Sequence, residues 1–220
     1  AVVIGAGPAG AMAALTLARR GVRTLMVDKA SLGRWKVCGC CLGSLGQAEL
    51  DRAGLDAVLA HARPIDRLRV AACGACAGLP FGGFVSLSRE HLDPAIVRAA
   101  QDAGVQTRWG VAARIDPEGG VTLAPRERIR ARVIIDASGL RGQRDDDASV
   151  SPRTRIGLGL TTDDAACPPG TLTMAVSRQG YVGRVALPDG RVDFAAAVRP
   201  AHVRAHENPT EALRAIWREA

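Results

Sequence analysis

Three glycines, Gly5, Gly7 and Gly10, follow directly on the apolar run Ala1-Val2-Val3-Ile4 in a G-x-G-x-x-G spacing. Glycines so spaced suit the pyrophosphate of a dinucleotide. The first permits a tight turn, the second lets a phosphate approach bare backbone, and the third lets a helix pack close to its strand. The phosphate then rests on the positive end of that helix, among N–H groups that have no intrahelical partner. Asp28 supplies the other half of the pattern, an acid about 20 residues further on that can accept the hydroxyls of a ribose. A carboxylate there repels a 2′-phosphate, so the nucleotide is expected to be FAD or NAD and not NADP.

These residues need a strand, a helix and a second strand to hold them. Ala9 to Arg20 is rich in Ala and Leu, closes on Arg19 and Arg20, and is followed by Gly21, a left-handed helix stop. Thr24-Leu25-Met26-Val27 reads as a second buried strand that ends at Asp28. Arg132-Val133-Ile134-Ile135 is a further apolar run, ending in the small polar turn Asp136-Ala137-Ser138-Gly139, as buried parallel strands do. Ligands of open α/β sheets sit at the carboxyl ends of the strands, so Asp136 to Gly139 is expected to face the same nucleotide as Gly5 to Gly10. The alternative is a strand end with a plain polar stop.

Between these landmarks, Gly46 to His61 reads as a helix broken near Gly54, and Phe81-Gly82-Gly83-Phe84 as a turn. Asp93-Pro94 reads as a helix start, with Gly104 as its stop. Val105 to Ile115 is extended and Asp116 to Gly120 is a hairpin turn. From Ser151 onward the pattern shifts to alternating strands, such as Thr171 to Val176 and Arg191 to Val198. That shift implies a second, antiparallel layer, assigned to substrate.

The 220 residues, 47% hydrophobic, suffice for one good core or about one and a half domains. No apolar run reaches the roughly 20 residues of a membrane span. The chain opens inside a strand and closes in Thr210 to Ala220, a helix in progress, so it reads as a fragment cut at both ends. The net charge of +7 comes from scattered arginines with only 3% aromatics, which is no basic stripe for nucleic acid. An anionic cofactor or a peripheral membrane contact accounts for part of the excess.

The six cysteines, Cys38, Cys40, Cys41, Cys73, Cys76 and Cys167, are expected to be thiols of a reducing, cytoplasmic compartment. Cys73 and Cys76 have C-x-x-C spacing, but the paired knuckles of a zinc site are absent, so no metal is expected. Cys73, Cys76 and Cys167 are read instead as small buried apolar residues. Asp145-Asp146-Asp147 reads as a solvated loop. His202 and His206 lie in what reads as an irregular stretch before Pro209 and are unassigned.

The order of these pieces resembles the flavoprotein family of geranylgeranyl reductases and aromatic-ring monooxygenases of the p-hydroxybenzoate hydroxylase type. Five segments carry the resemblance: Gly5 to Gly10 with Asp28; Lys36-Val37-Cys38-Gly39-Cys40-Cys41-Leu42; Ser88-Arg89 with Leu92-Asp93; Val133 to Gly139; and Gly180 to Gly190. The Cys-Gly segment resembles the reductase branch in particular. The resemblance implies an α/β fold, a Rossmann-like FAD-binding domain with a second, antiparallel-sheet substrate domain, truncated at the C-terminus. The expected boundaries are 1–65 and 86–145 for the FAD-binding domain, and 66–85 and 146–220 for an incomplete substrate domain.

The resemblance also implies site residues. The loop around Cys38 and Gly39 would pass beside the flavin ring, Arg89 would contact the cofactor, backbone near Ala112 would approach the adenine, and Tyr181 to Pro188 would line the substrate cavity. Pro8, Ala9, Lys29, Cys41, Asp136 and Gly139 complete the expected cofactor contacts. Two departures stand out. The family usually has Glu where this chain has Asp28, and its later G-D-A segment, which holds the flavin phosphates and ribityl chain, is not in these residues. The fragment is therefore not expected to turn over alone. The W-x-W-x-I-P pattern of flavin halogenases is absent as well.

The implied activity is an FAD-dependent reduction of carbon–carbon double bonds in an apolar, isoprenoid or polyketide-like substrate. Cys38 is the candidate catalytic side chain, as a proton donor or as an electrostatic neighbour of the ring. The electron donor would be NAD(P)H or a ferredoxin, because no second G-x-G-x-x-G exists for a resident nicotinamide. Two alternatives stand beside it: an FAD-dependent monooxygenase of aromatic or polyketide rings, and a non-catalytic dinucleotide-binding module.

Overall fold

The computed structural model describes residues 1–140, 142, 154–163 and 166–220. In chain order the strands are β1 (Val2–Ile4), β2 (Leu25–Asp28), β3 (Cys41–Gly43), β4 (Arg63–Ala72), β5 (Ala75–Ser86), β6 (Gln106–Trp109) and β7 (Ala113–Ile115). They continue with β8 (Gly120–Leu123), β9 (Glu127–Arg130), β10 (Ile134–Asp136), β11 (Ile156–Thr162), β12 (Thr171–Ser177), β13 (Gly180–Ala186) and β14 (Val192–Val198). The α-helices are α1 (Pro8–Arg19), α2 (Ser44–Arg52), α3 (Arg89–Asp102), α4 (Pro200–Arg204) and α5 (Pro209–Glu219), and a 3-10 helix spans Asp56–His61. The chain divides into two compact units, Ala1–Trp35 with Arg89–Ser149, and Lys36–Ser88 with Val150–Ala220.

The first unit is built on a parallel sheet in the order β10-β1-β2-β6. Side chains alternate across such a sheet. Val2, Ile4 and Val27 therefore point one way and bury against Val121 and Leu123 of β8, the centre of the small antiparallel sheet β7-β8-β9. Helix α1 packs on β1 and β2 and against α3. Its buried residues are Gly10, Ala11, Ala14 and Leu15, an i, i+4 stripe of mostly small side chains that lets it lie close to the sheet. It stops as the sequence implies: Gly21 adopts φ +75° and its N–H donates to the Ala18 carbonyl at 2.8 Å.

The second unit carries a seven-stranded sheet, β11-β14-β13-β12-β4-β5-β3. The sheet is antiparallel except where β12 runs parallel to β4. One face is covered by α5, where Val182, Ala196 and Val198 pack against Leu213 and Ile216. On the other, Cys40, Ile65, Val185 and Leu187 form a buried cluster with Cys38 and Cys41 at its margin. Residues 36–65, grouped by sequence with the first unit, belong by contact to this one. The reason is local: β3 pairs along β5, and Cys40 packs on Ile65.

Four other expectations differ from the structure. Helix α3 begins at Arg89 with Pro94 inside it, a turn earlier than the Asp93-Pro94 start; the Arg89–Asp93 ion pair at i, i+4 ties that extra turn. Phe81 to Phe84 is no turn but part of β5, its two rings stacked at 4.5 Å. The reversal lies instead at Cys73 and Gly74, with φ of +52° and +75°, which leaves Cys73 and Cys76 exposed while Cys167 is buried. His202 lies within helix α4, its Nε2 2.9 Å from the Ala212 carbonyl oxygen. Asp145 to Asp147 lie outside the described residues.

Candidate functional site

At the carboxyl end of β1 the chain turns through Gly5, which has φ +101°. A Cβ there would stand 2.2 Å from the Ala137 carbonyl oxygen, so only glycine fits. The same loop is held by Gly5 N–H donating to the Val27 carbonyl at 2.7 Å, and by Ala137 N–H donating to the Ile4 carbonyl at 2.8 Å. A Cβ on Gly10 would lie 1.9 Å from the Gly5 carbonyl oxygen and 3.1 Å from the Ala137 Cβ. Two glycines thus serve the packing of strand, turn and helix.

Gly7 differs from both. Its φ is −73°, accessible to any residue, and a Cβ there would meet nothing nearer than Nη2 of Arg89 at 3.6 Å. The fold does not require glycine at this position. A glycine here leaves the backbone open to close approach by a ligand. Gly7 is the N-cap of α1 and Pro8 its first residue, and no side chain caps the helix, so its leading N–H groups are open to an anion. Arg89 places a cation over this turn. Its Nε and Nη2 donate to Oδ1 and Oδ2 of Asp93 at 2.6 and 2.8 Å, and Asp93 is buried at 2% exposure. A guanidinium held bidentately from below presents its remaining donors in a fixed direction.

Asp28 closes the β2 end. Its Oδ2 accepts from Ala6 N–H at 2.8 Å and its Oδ1 from Ala30 N–H at 2.9 Å, so it joins the glycine turn to the following bend. Each carboxylate oxygen keeps a second lone pair for a ribose hydroxyl. Its backbone carbonyl accepts from Val111 N–H at 3.1 Å, which brings Ala112 to the same end of the sheet. Asp136 ends β10, where its Oδ1 accepts from Ser138 N–H at 3.0 Å, and Gly139 follows with φ +100°. The structure thus brings Gly5, Gly7, Pro8, Gly10, Asp28, Arg89, Ala112, Asp136 and Gly139 to the carboxyl ends of β1, β2, β6 and β10. Lys29 is exposed beside Asp28.

Cys38, Gly39 and Cys41 form a separate feature of the second unit. Cys40 takes φ +48°, unusual without glycine, and its N–H points at Cys38 Sγ at 3.4 Å. The Cys41 thiol donates to the Gly39 carbonyl at 3.0 Å, and the Leu87 N–H donates to the Cys40 carbonyl at 2.9 Å. Burial, then the neighbouring Cys38 and Asp193, push the Cys41 thiol up to about 12. The loop can lie flat because β14 and β11 offer it small residues: the Gly39 Cβ position is 3.9 Å from the Ala195 Cβ, and that of Gly157 is 3.6 Å from Val37. The Tyr181 to Pro188 segment divides between two faces. Val185 and Leu187 join the cysteine cluster, while Val182 and Arg184 line a cavity of about 400 Å³ under α5, where Arg184 stacks on Trp217 at 4.8 Å.

Sequence reasoning missed two residues. Asp93 was read as a cap, although the spacing to Arg89 is that of a helical ion pair. Asp193 lies 2% exposed in a run of small apolar residues, and a lone acid in Val192-Asp193-Phe194-Ala195-Ala196-Ala197 was the available signal.

A parallel sheet, a glycine turn that a side chain would fill, an open helix N-terminus, an acid at the end of the second strand and an arginine fixed by a buried aspartate are features of a dinucleotide-binding α/β fold. The FAD binding domain family matches residues 1–158, and the chain belongs to that family, whose cofactor is FAD. It is similar to the menaquinone reductase of Mycobacterium tuberculosis, 36% identical over 152 residues that cover 64% of this chain and 37% of that protein. It is also similar to the geranylgeranyl diphosphate reductase of Rhodobacter capsulatus, 29% identical over 72% of this chain and 41% of that protein. Among solved structures, 2-methyl-3-hydroxypyridine-5-carboxylic acid oxygenase superposes with a TM-score of 0.76 at 21% identity, over 99% of this chain and 64% of that one, a likeness of fold. The chain spans well under half the length of these two reductases.

Proposed function

We propose that this chain is the nucleotide-binding part of an FAD-dependent reductase that saturates carbon–carbon double bonds of an apolar, isoprenoid-like substrate. The observation that carries the reading is the pair of sequence relatives, both reductases by name, set beside an oxygenase that shares only the fold. The Cys-Gly loop supports the same branch.

Bound FAD supplies the hydride chemistry, and the protein supplies position, electrostatics and water exclusion. In this reading the Gly5–Gly10 turn and the N–H groups of α1 hold the pyrophosphate. Asp28 holds the ribose, backbone near Ala112 lies along the adenine, and Arg89 balances the anionic charge. Lys29, Asp136 and Gly139 border the same nucleotide, and Gly39 and Cys41 shape the loop on which Cys38 keeps a proton at Sγ for the substrate carbon. The electron donor is NAD(P)H or a ferredoxin. An apolar substrate in this reading is met by peripheral contact with a membrane surface; among the described residues no helix is long and apolar enough to cross a membrane.

The test uses the full-length protein with an alkene substrate and a reduced donor. Anaerobic saturation, read by mass spectrometry, supports the reductase. Oxygen uptake stoichiometric with hydroxylated product replaces it with a monooxygenase. Failure of every donor to bleach bound flavin replaces both with a non-catalytic nucleotide-binding module.

A further inference from the structure

Asp193 is a buried acid that the reading above does not use. It sits on β14 with Thr161 of β11 opposite it on one side and Val185 of β13 on the other. Strand alternation puts its side chain on the same face as Ala195, the residue over which Gly39 passes. That face carries the Cys38–Cys41 loop. The residue is 2% exposed, neither carboxyl oxygen makes a well-formed hydrogen bond among the described residues, and the polar groups within reach are the Cys40 thiol and the Thr161 hydroxyl. A buried carboxylate left in that state is costly, and a buried carboxylic acid much less so.

The groups around it support the protonated form. Desolvation dominates and raises the carboxyl from its ordinary 3.8 to about 7. The Cys38 thiolate charge would raise it further, while the Cys40 thiol, the Thr161 hydroxyl and Arg191 act in the opposite sense. Arg191 is the cation closest in sequence, but it is committed elsewhere: its Nη2 pairs with Asp189 Oδ2 at 2.7 Å and its Nε donates to the same oxygen at 2.9 Å. From β13 the register partner is apolar Val185. The acid therefore faces three thiols, one hydroxyl and an already neutralised arginine.

We propose that Asp193 is a positioning residue that keeps the Cys38–Cys41 loop in its thiol form. The coupling is mutual. A negative Asp193 disfavours thiolate at Cys38 and Cys41, and a thiolate in the loop disfavours ionisation of Asp193, so the pocket accepts one negative charge reluctantly and two hardly at all. A proton donor in this loop then stays loaded between turnovers, and no cysteine drifts into a nucleophilic thiolate. This role rests on the proposal that Cys38 is the proton-holding side chain.

The test reads thiols and not turnover, so its failure is separable from failure of the reductase reading. In the full-length protein, iodoacetamide labelling of Cys38 and Cys41 is followed by mass spectrometry across pH, for wild type and Asp193→Asn. The midpoint reports thiol ionisation and the plateau rate at high pH reports access. The expected result is a midpoint lower by about one pH unit in Asp193→Asn, with Asp193→Glu restoring it. Equal midpoints with equal plateaus overturn the proposal, as does a change in plateau alone, which marks a purely structural role. Should Asp193→Asn fail to fold, the carboxyl carbons of ¹³C-aspartate-labelled wild type decide: one aspartate titrating near neutrality supports the assignment, and all aspartates titrating in the ordinary acid range overturn it.

Discussion

The glycine turn of the first unit and the cysteine loop of the second solve opposite problems. The turn is made of backbone, and its polar groups are partnered: Gly5 N–H on Val27, Ala6 N–H on Asp28, Ala137 N–H on Ile4. What it leaves open are the N–H groups at the head of α1, which no side chain caps and which suit an anion. The cysteine loop is made of side chains in an apolar cluster, and the buried acid beside it, Asp193, makes no well-formed hydrogen bond among the described residues. One region is prepared to receive charge, and the other is arranged to refuse it. Phosphate recognition needs the first property, and a thiol held in its protonated form needs the second.

Substitutions can break this contrast or sharpen it. The largest effect is expected at Gly10, where a Cβ would fall 1.9 Å from the Gly5 carbonyl oxygen. Gly10→Ala should destabilise the first unit by about 3 kcal/mol and abolish FAD retention, read by thermal denaturation and by flavin absorbance. Asp93→Asn is next. It removes one charge of a pair whose carboxylate side chain is only 3% exposed, and should cost about 3 kcal/mol. It should also weaken FAD binding, because Arg89 loses its fixed direction. Denaturant titration and equilibrium dialysis check the two parts.

Asp193 gives a smaller effect with a distinctive sign. Its folded-state value, about 7, lies above its ordinary 3.8, so the folded protein holds this proton more tightly than the unfolded chain. Its penalty is absent below about pH 4, grows between pH 4 and 7, and is constant above that range. Wild type should therefore become progressively less stable relative to Asp193→Asn across that window, measured as unfolding free energy against pH. A flat difference between the two proteins would remove the contrast between the regions.

The two regions also differed in how far they could be read from sequence. The turn was legible because its chemistry is local. Gly5, Gly7 and Gly10 lie within six residues of one another, and the strand before them and Asp28 after them set the frame. The run ending at Asp136 was legible as a parallel strand with a small polar exit, but not as a buried one: β10 is the edge strand of its sheet, Ile134 and Ile135 are half-buried and Val133 is 48% exposed. Asp193 was not legible, since its burial depends on strands β11 and β13 and on a loop some 150 residues earlier, all brought together by sheet pairing. The domain boundary moved for a similar reason: residues 41–43 join the second unit through β5, a pairing that no local pattern encodes. The helix start at Asp93-Pro94 misled because proline favours a first turn, whereas here an ion pair secures one turn more.

The most direct test of the central claim lies at Gly7, where fold and ligand make different demands. Its φ of −73° and the ordinary 3.6 Å contact of its Cβ position with Nη2 of Arg89 mean that alanine costs the fold under about 1 kcal/mol. A dinucleotide pyrophosphate on that backbone would meet the added methyl group. The measurement is FAD affinity and melting temperature of the full-length wild type and Gly7→Ala. The account predicts FAD bound to wild type, an affinity at least about tenfold weaker in Gly7→Ala, and nearly equal melting of the two apoproteins. Wild-type affinity in Gly7→Ala, or a wild type that neither carries nor takes up FAD, would contradict it.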